Sequence, residues 1–185
     1  HQRETRTMKP IKVGLLGIGT VGAGTFNVLQ RNQEEIRRRA GRGIEIAMVS
    51  ARNIERAREL TGNQVEVVAD PFAVVNNPDI DIVVELIGGT TIAQKLVLKA
   101  IENGKHVVTA NKALLATCGN EIFAAARKHD VMVAFEAAVA GGIPIIKALR
   151  EGLTANRIEG IARTTNVASG RQRTDALNEH VQVLQ

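Results

Sequence analysis

The sequence predicts an α/β fold, a doubly wound parallel sheet with the beginning of a second domain behind it. Three observations carry this. Short apolar runs of strand length alternate with stretches of helical periodicity through residue 135. The runs are continuously apolar, as strands covered on both faces are. The first of them ends in glycines at the mouth of the first helical stretch.

Taken in order, residues 11–16 (IKVGLL) are the first strand. A helix follows from Val21, with Val28, Leu29 and Ile36 at helical spacing. Charge takes over in 31–39 as a solvated helix end, and Gly41-Arg42-Gly43 breaks the element. Strand 44–49 precedes a short helix at 54–60, and Thr61-Gly62-Asn63 turns the chain into a third strand at 65–68. Asp70-Pro71 caps a short helix, 82–86 is a strand, 92–103 is a helix stopped by Gly104, and 106–109 is a strand. Helix 121–128 and strand 131–135 continue the series. This rhythm implies right-handed crossovers and helices on both faces of the sheet.

After Phe135 the pattern changes. Small residues at 137–142 mark a domain boundary, Pro144 suits the first turn of a helix reaching about 151, and 158–162 reads as the opening of a new sheet. Residues 164–185 are polar with weak periodicity and receive no element. The expected organisation is a tag-like or disordered leader at 1–7, a dinucleotide-binding domain at 8–138, and an incomplete substrate and dimerisation domain at 139–185. No internal repeat appears.

Composition narrows the function. Lys and Arg number 24 against 19 Asp and Glu, a net charge of +5 that suits an anionic ligand and is modest for a nucleic-acid binder. With no Trp, no Tyr and four Phe, the chain lacks the aromatic rings on which single strands stack. A single cysteine, Cys118, forms no internal disulfide and no cysteine-rich zinc site, which fits a reduced, cytoplasmic compartment. No uncharged stretch is long enough to span a bilayer. A small-molecule ligand is expected, and neither nucleic acid nor membrane.

Gly17-Ile18-Gly19-Thr20-Val21-Gly22 is a GxGxxG placed between the first strand and the first helix. Gly17 allows the tight turn, Gly19 lets the backbone approach a pyrophosphate, and Gly22 lets helix pack on strand, with the phosphates at the positive helix end beside Thr20 and Val21. The context makes this a Rossmann-type NAD(P)-binding loop. At the end of the second strand an acid would bind the adenine ribose and repel a 2′-phosphate, but the chain reads Ser50-Ala51-Arg52-Asn53. A hydroxyl at Ser50 and a guanidinium at Arg52, with Arg56 a helical turn on, favour NADP over NAD. The plainer alternative is a basic, solvated helix.

Ligands of an open parallel sheet sit outside the carboxyl ends of its strands. This places Glu85-Leu86-Ile87-Gly88-Gly89 and Thr109-Ala110-Asn111-Lys112 beside the cofactor, with Gly88, Thr109, Asn111 and Lys112 as contacts. Lys112 can polarise a carbonyl or relay an alcohol proton; the same residue also reads as an ordinary surface lysine. Glu136, just past a strand and ahead of exposed backbone carbonyls, suits either a hard cation or a helix cap. His106 and His129 have no ligand-spaced acid or cysteine, and Cys118 reads as a small apolar filler.

GLLGIGTVG at 14–22, VVELIGG at 83–89, VVTANKALLA at 107–116 and FEAAVAGGIPIIKALREGLTANRIEGIA at 135–162 together resemble homoserine dehydrogenase, almost continuously from Met8 to Ala162. The resemblance implies reversible oxidation of L-homoserine to L-aspartate 4-semialdehyde with NAD(P), on the route to threonine, isoleucine and methionine. It implies that Lys112 is an active-site residue, that Gly17, Gly19 and Gly22 hold the pyrophosphate, and that Glu136 with the backbones of Val139, Gly141 and Ile143 binds a monovalent cation such as Na+. It also implies a homo-oligomer for the complete protein. The resemblance ends after Ala162, so the second lysine and the acids that the family's substrate domain supplies have no counterpart in 167–185. Two alternatives therefore stand beside it: a dinucleotide-binding module without turnover, and a related amino-acid dehydrogenase acting on aspartate.

Overall fold

The computed structural model describes residues 9–40, 43–136 and 181–184. In chain order the elements are β1 (Ile11–Leu16), α1 (Thr20–Arg31), α2 (Gln33–Ala40), β2 (Ile44–Ser50), α3 (Ile54–Leu60), β3 (Glu66–Val68), α4 (Pro71–Val75), β4 (Ile82–Glu85), α5 (Thr91–Glu102), β5 (His106–Thr109), α6 (Lys112–His129), β6 (Val133–Glu136) and β7 (Val181–Leu184). The strands form one sheet in the order β3-β2-β1-β4-β5-β6-β7, with every neighbouring pair parallel. The order reverses at β1, which pairs with β2 on one side and β4 on the other. A crevice at such a switch point is where α/β sheets bind ligands.

Both faces of the sheet are covered. Phe26 and Leu29 of α1 and Ala57 of α3 pack with Val13, Leu15, Ile46 and Val84 on one face. On the other, Val74, Leu96, Val97, Ile101, Ile122 and Phe123 of α4, α5 and α6 pack with Val83, Val107 and Val133. Successive residues of a strand point to opposite faces, so Val83 and Val84 serve the two cores in turn. This burial is why the strands are predominantly apolar, with charges at Lys12, Glu45 and Glu66 toward their amino ends and at Glu85 and Glu136 at the ends of β4 and β6.

Three elements depart from the sequence reading. The helix expected to fade into a charged end divides at Asn32, whose side-chain amide donates to Val28 O at 2.8 Å. The charged run beyond it is a helix of its own, α2, and its Gln33 bonds both the carbonyl and the N–H of Ile44 at the start of β2. Helix α6 begins at Lys112, well before the expected residue 121, because Asn111 caps it by accepting the Leu114 N–H at 3.0 Å. Thr117 and Gly119 lie inside it. The Thr117 hydroxyl folds back onto Ala113 O at 2.8 Å, and buried Gly119 leaves room for the Phe123 ring. Finally, the stretch assigned no element contributes β7, where Val181 and Val183 pair with Val133 and Phe135. The helix expected from Pro144 and the strand expected at 158–162 lie outside the described residues.

At the amino ends of the strands, buried Lys105 donates to Asn77 O at 2.6 Å and Ile80 O at 2.7 Å, stitching the loop before β4. Next to it, His106 Nδ1 accepts the Met132 N–H at 2.9 Å, joining β5 to the approach of β6. Burial pulls both pKa values down, against the opposing pull of Asp81 and Asp79 on Lys105 and of Asp81 and Asp130 on His106.

Candidate functional site

At the opposite, carboxyl ends of the strands a cleft of about 680 Å³ opens between the loops after β1, β2 and β4. Gly17 makes the turn out of β1 with φ +88°, a conformation that favours glycine. Its N–H is held by the Ser50 carbonyl at 3.0 Å and the Ser50 hydroxyl at 3.3 Å. A Cβ on Gly22 would stand 3.0 Å from Gly17 O, so the third glycine permits the close return of the helix onto the loop.

Gly19, the N-cap of α1, is exposed, and nothing lies within 4 Å of where its Cβ would be. No side chain caps this helix and its first turn holds no acid, so its leading amides and positive end are left for an anionic ligand. The cradle therefore fits a dinucleotide phosphate. Thr20 and Val21 form the first turn behind it.

The second wall is basic. Arg52 is exposed on the cleft and has no ion pair among the described residues, whereas Arg56 forms a loose pair with Glu59 at 3.8 Å. Ser50 also lines the cleft. Only 3% exposed, its hydroxyl oxygen already accepts from Gly17, so it shapes the glycine loop from beneath. Leu86, Ile87 and Ile92 supply the apolar side of the cleft; Ile92, 39% exposed, is the one exposed large hydrophobic among the described residues.

Thr109, Asn111 and Gly88 fall in a second cluster at the ends of β4 and β5. The register pairs Glu85 with Thr109. Glu85 is completely buried; its Oε1 accepts the N–H groups of Ile87 at 2.8 Å and Gly88 at 3.2 Å, and its Oε2 accepts the Thr109 hydroxyl at 2.6 Å. The Thr109 Oγ1 in turn accepts the Asn111 N–H at 3.0 Å, and the Asn111 side chain donates to Gly89 O while capping α6. The side chains of Thr109 and Asn111 are thus committed within the protein. Sequence reasoning gave Glu85 no role; an acid closing the otherwise apolar strand IVVE was the signal available.

Lys112 is exposed, directly follows this cluster and is the first residue of α6. A cation at the positive end of a helix does nothing for the helix, since cations favour the carboxyl end. Glu136 is the last residue of β6, paired with Leu184. Val139, Gly141 and Ile143 lie outside the described residues. Among the described residues no three His, Cys, Asp or Glu side chains cluster as metal ligands would, and no helix is long and apolar enough to cross a membrane.

The comparison with known proteins agrees with this geometry. Residues 17–136 match the family model for the NAD-binding domain of homoserine dehydrogenase. The chain is 67% identical over 159 residues to a homoserine dehydrogenase of Pseudomonas aeruginosa, covering 86% of this chain and 36% of that protein. It is 60% identical over 162 residues to one from Neisseria gonorrhoeae, covering 88% and 37%. The solved structure of a homoserine dehydrogenase from Thiobacillus denitrificans superposes with a TM-score of 0.69 at 66% identity, over 81% of this chain and 35% of that one. The chain thus spans about a third of the length of the relatives it matches. With the glycine cradle, the parallel sheet and this match in agreement, the chain belongs to the homoserine dehydrogenase family and carries its nicotinamide-dinucleotide-binding domain.

Proposed function

We propose that this chain is the cofactor half of an NADP-preferring homoserine dehydrogenase, interconverting L-homoserine and L-aspartate 4-semialdehyde in the cytoplasm, on the route to threonine, isoleucine and methionine. The observation that carries it is the 67% identity over 159 residues to a homoserine dehydrogenase. Residues 8–138 form the dinucleotide domain in this reading, and 139–185 open the domain for substrate and homo-oligomerisation.

The bound nicotinamide supplies the acceptor for the hydride on homoserine's carbinol carbon. The chain's own residues do the rest. The amides after Gly19 hold the pyrophosphate, and the Arg52 guanidinium pairs with the 2′-phosphate, which an acid there would repel. Gly88 and the backbone around Thr109 and Asn111 flank the nicotinamide end. Lys112 Nζ holds the substrate oxygen and takes its proton as the carbonyl forms. Glu136, with the carbonyls of Val139, Gly141 and Ile143, would hold a monovalent cation such as Na+.

The test is homoserine-dependent NADP reduction by a full-length enzyme bearing this sequence, with aspartate as the control substrate. Lys112→Ala should lower kcat by about 100-fold or more, the scale of a lost general acid-base group, and leave dinucleotide affinity within about threefold. An unchanged kcat at saturating substrate removes Lys112 from the mechanism, and preference for aspartate overturns the substrate assignment.

A further inference from the structure

We propose that Glu85 is a positioning residue of the cofactor site: its buried carboxylate closes a ring of hydrogen bonds that sets the wall at residues 86–89 for the nicotinamide-bearing half of the dinucleotide. The inference rests on the cofactor reading above and adds a residue to it.

The ring can be followed atom by atom. Glu85 Oε1 holds the Ile87 and Gly88 amides, Oε2 takes the one proton of Thr109 Oγ1, and that oxygen is thereby left to accept the Asn111 N–H. The Asn111 side chain returns to Gly89 O, one residue beyond the amides where the ring began. Three donors thus converge on the two oxygens of Glu85. No cation pairs with it among the described residues.

A fully buried carboxyl group without an ion partner is costly to desolvate, and an apolar pair of the same volume would join the two strands as well. What the carboxylate does that an apolar pair cannot is hold a particular loop shape. Gly88 and Gly89 have φ +77° and +72°, and nothing stands within 4 Å of either missing Cβ, so no packing imposes the conformation from outside. The same loop carries Leu86 and Ile87 into the cleft wall, and the far side of the ring fixes Asn111, the cap that starts α6 immediately before Lys112. One buried group therefore ties the cleft wall to the candidate catalytic lysine. The 2′-phosphate end, at Arg52, lies outside the ring.

That separation supplies the test. The 185-residue chain is titrated calorimetrically with NADP and with adenosine 2′,5′-bisphosphate, the part of the cofactor that carries the 2′-phosphate and one phosphate for the glycine loop and lacks the nicotinamide riboside. Glu85→Ala and the isosteric Thr109→Val should each weaken NADP at least tenfold and leave the bisphosphate within twofold. Thr109→Ser, which keeps the hydroxyl, should restore NADP binding. Thr109→Val preserves shape, so the result survives if Glu85→Ala fails to fold. If folded variants bind both ligands as the parent does, or lose both equally, Glu85 and Thr109 are fold anchors only and the proposal is overturned. Failure of the parent to bind NADP would instead overturn the cofactor reading itself.

Discussion

In the proposed reading, Arg52 discriminates between two cofactors that differ by one phosphate. It stands exposed on the cleft wall, where an NAD-selective site would carry an acid, and its neighbour Arg56 is already engaged with Glu59. Arg52→Ala should weaken NADP by about 1.5–3 kcal/mol, the range for a lost hydrogen bond to a charged group, and hardly touch NAD. Parallel titrations with both cofactors check this, and equal weakening would refute it. Arg52 was legible because a guanidinium replaces an expected carboxylate at a known offset from the glycine loop. The roles of Ser50 and Glu85 were not, because each depends on a neighbour distant in sequence: Gly17 for the serine, Thr109 for the glutamate. Strand order creates those pairs, and no local pattern announces them.

The elements divide in the same way. Bounds for β1, α3 and β5 agree with the sequence reading to the residue because β1 ends at Gly17, α3 runs from its Asn53 cap to the Thr61-Gly62-Asn63 turn, and β5 stops before Ala110-Asn111. The start of α6 was obscured because Thr117, Gly119 and Asn120 resemble a turn. They are helical because the Asn111 cap starts α6 ahead of them, and buried Gly119 leaves room for the Phe123 ring one turn on.

At the junction of β5 with the approach to β6, His106 must present an unprotonated Nδ1 to the Met132 N–H. Burial lowers its pKa below the ordinary 6.5, opposed in part by Asp81 and Asp130. The folded state therefore binds fewer protons than the unfolded one, and stability rises with pH across the interval between the lowered value and 6.5. The contribution is fully present above 6.5 and is lost as pH falls toward the folded value. Melting curves from pH 5 to 8 should show Tm falling on the acid side, and His106→Asn, whose Oδ1 can accept the same N–H without titrating, should flatten that slope. An equal slope in parent and variant would assign it to other groups.

For the molecule as a whole, the sheet and glycine cradle are complete within the described residues, while the chain spans 36% of its Pseudomonas aeruginosa relative. The 185-residue chain should bind NADP yet fail to oxidise homoserine. Orientation of the substrate against the cofactor is worth about 7–11 kcal/mol of barrier, and the family resemblance assigns the orienting groups to a domain whose residues have no counterpart here. Purified chain of confirmed mass, assayed with homoserine and NADP, checks this. Turnover of about 1 s⁻¹ or more would show that the orienting groups lie within these residues.

Asp81 adds a constraint of a different kind. Its N–H and carboxylate bond the carbonyl and N–H of Lys12, at 2.8 and 3.0 Å, and its carbonyl accepts the His106 N–H at 3.0 Å, so β4 is seated between β1 and β5 by one residue. Lys12 and Asp81 are 69 residues apart. A ribosome adding about 5–20 residues each second takes roughly 3–14 s to cover that interval, and throughout it β1, an interior strand of the finished sheet, has one edge without its partner. The strand that founds the cofactor cradle is thus the one that waits longest during synthesis for its second neighbour, and the nascent chain is most exposed to unwanted strand pairing before β4 emerges.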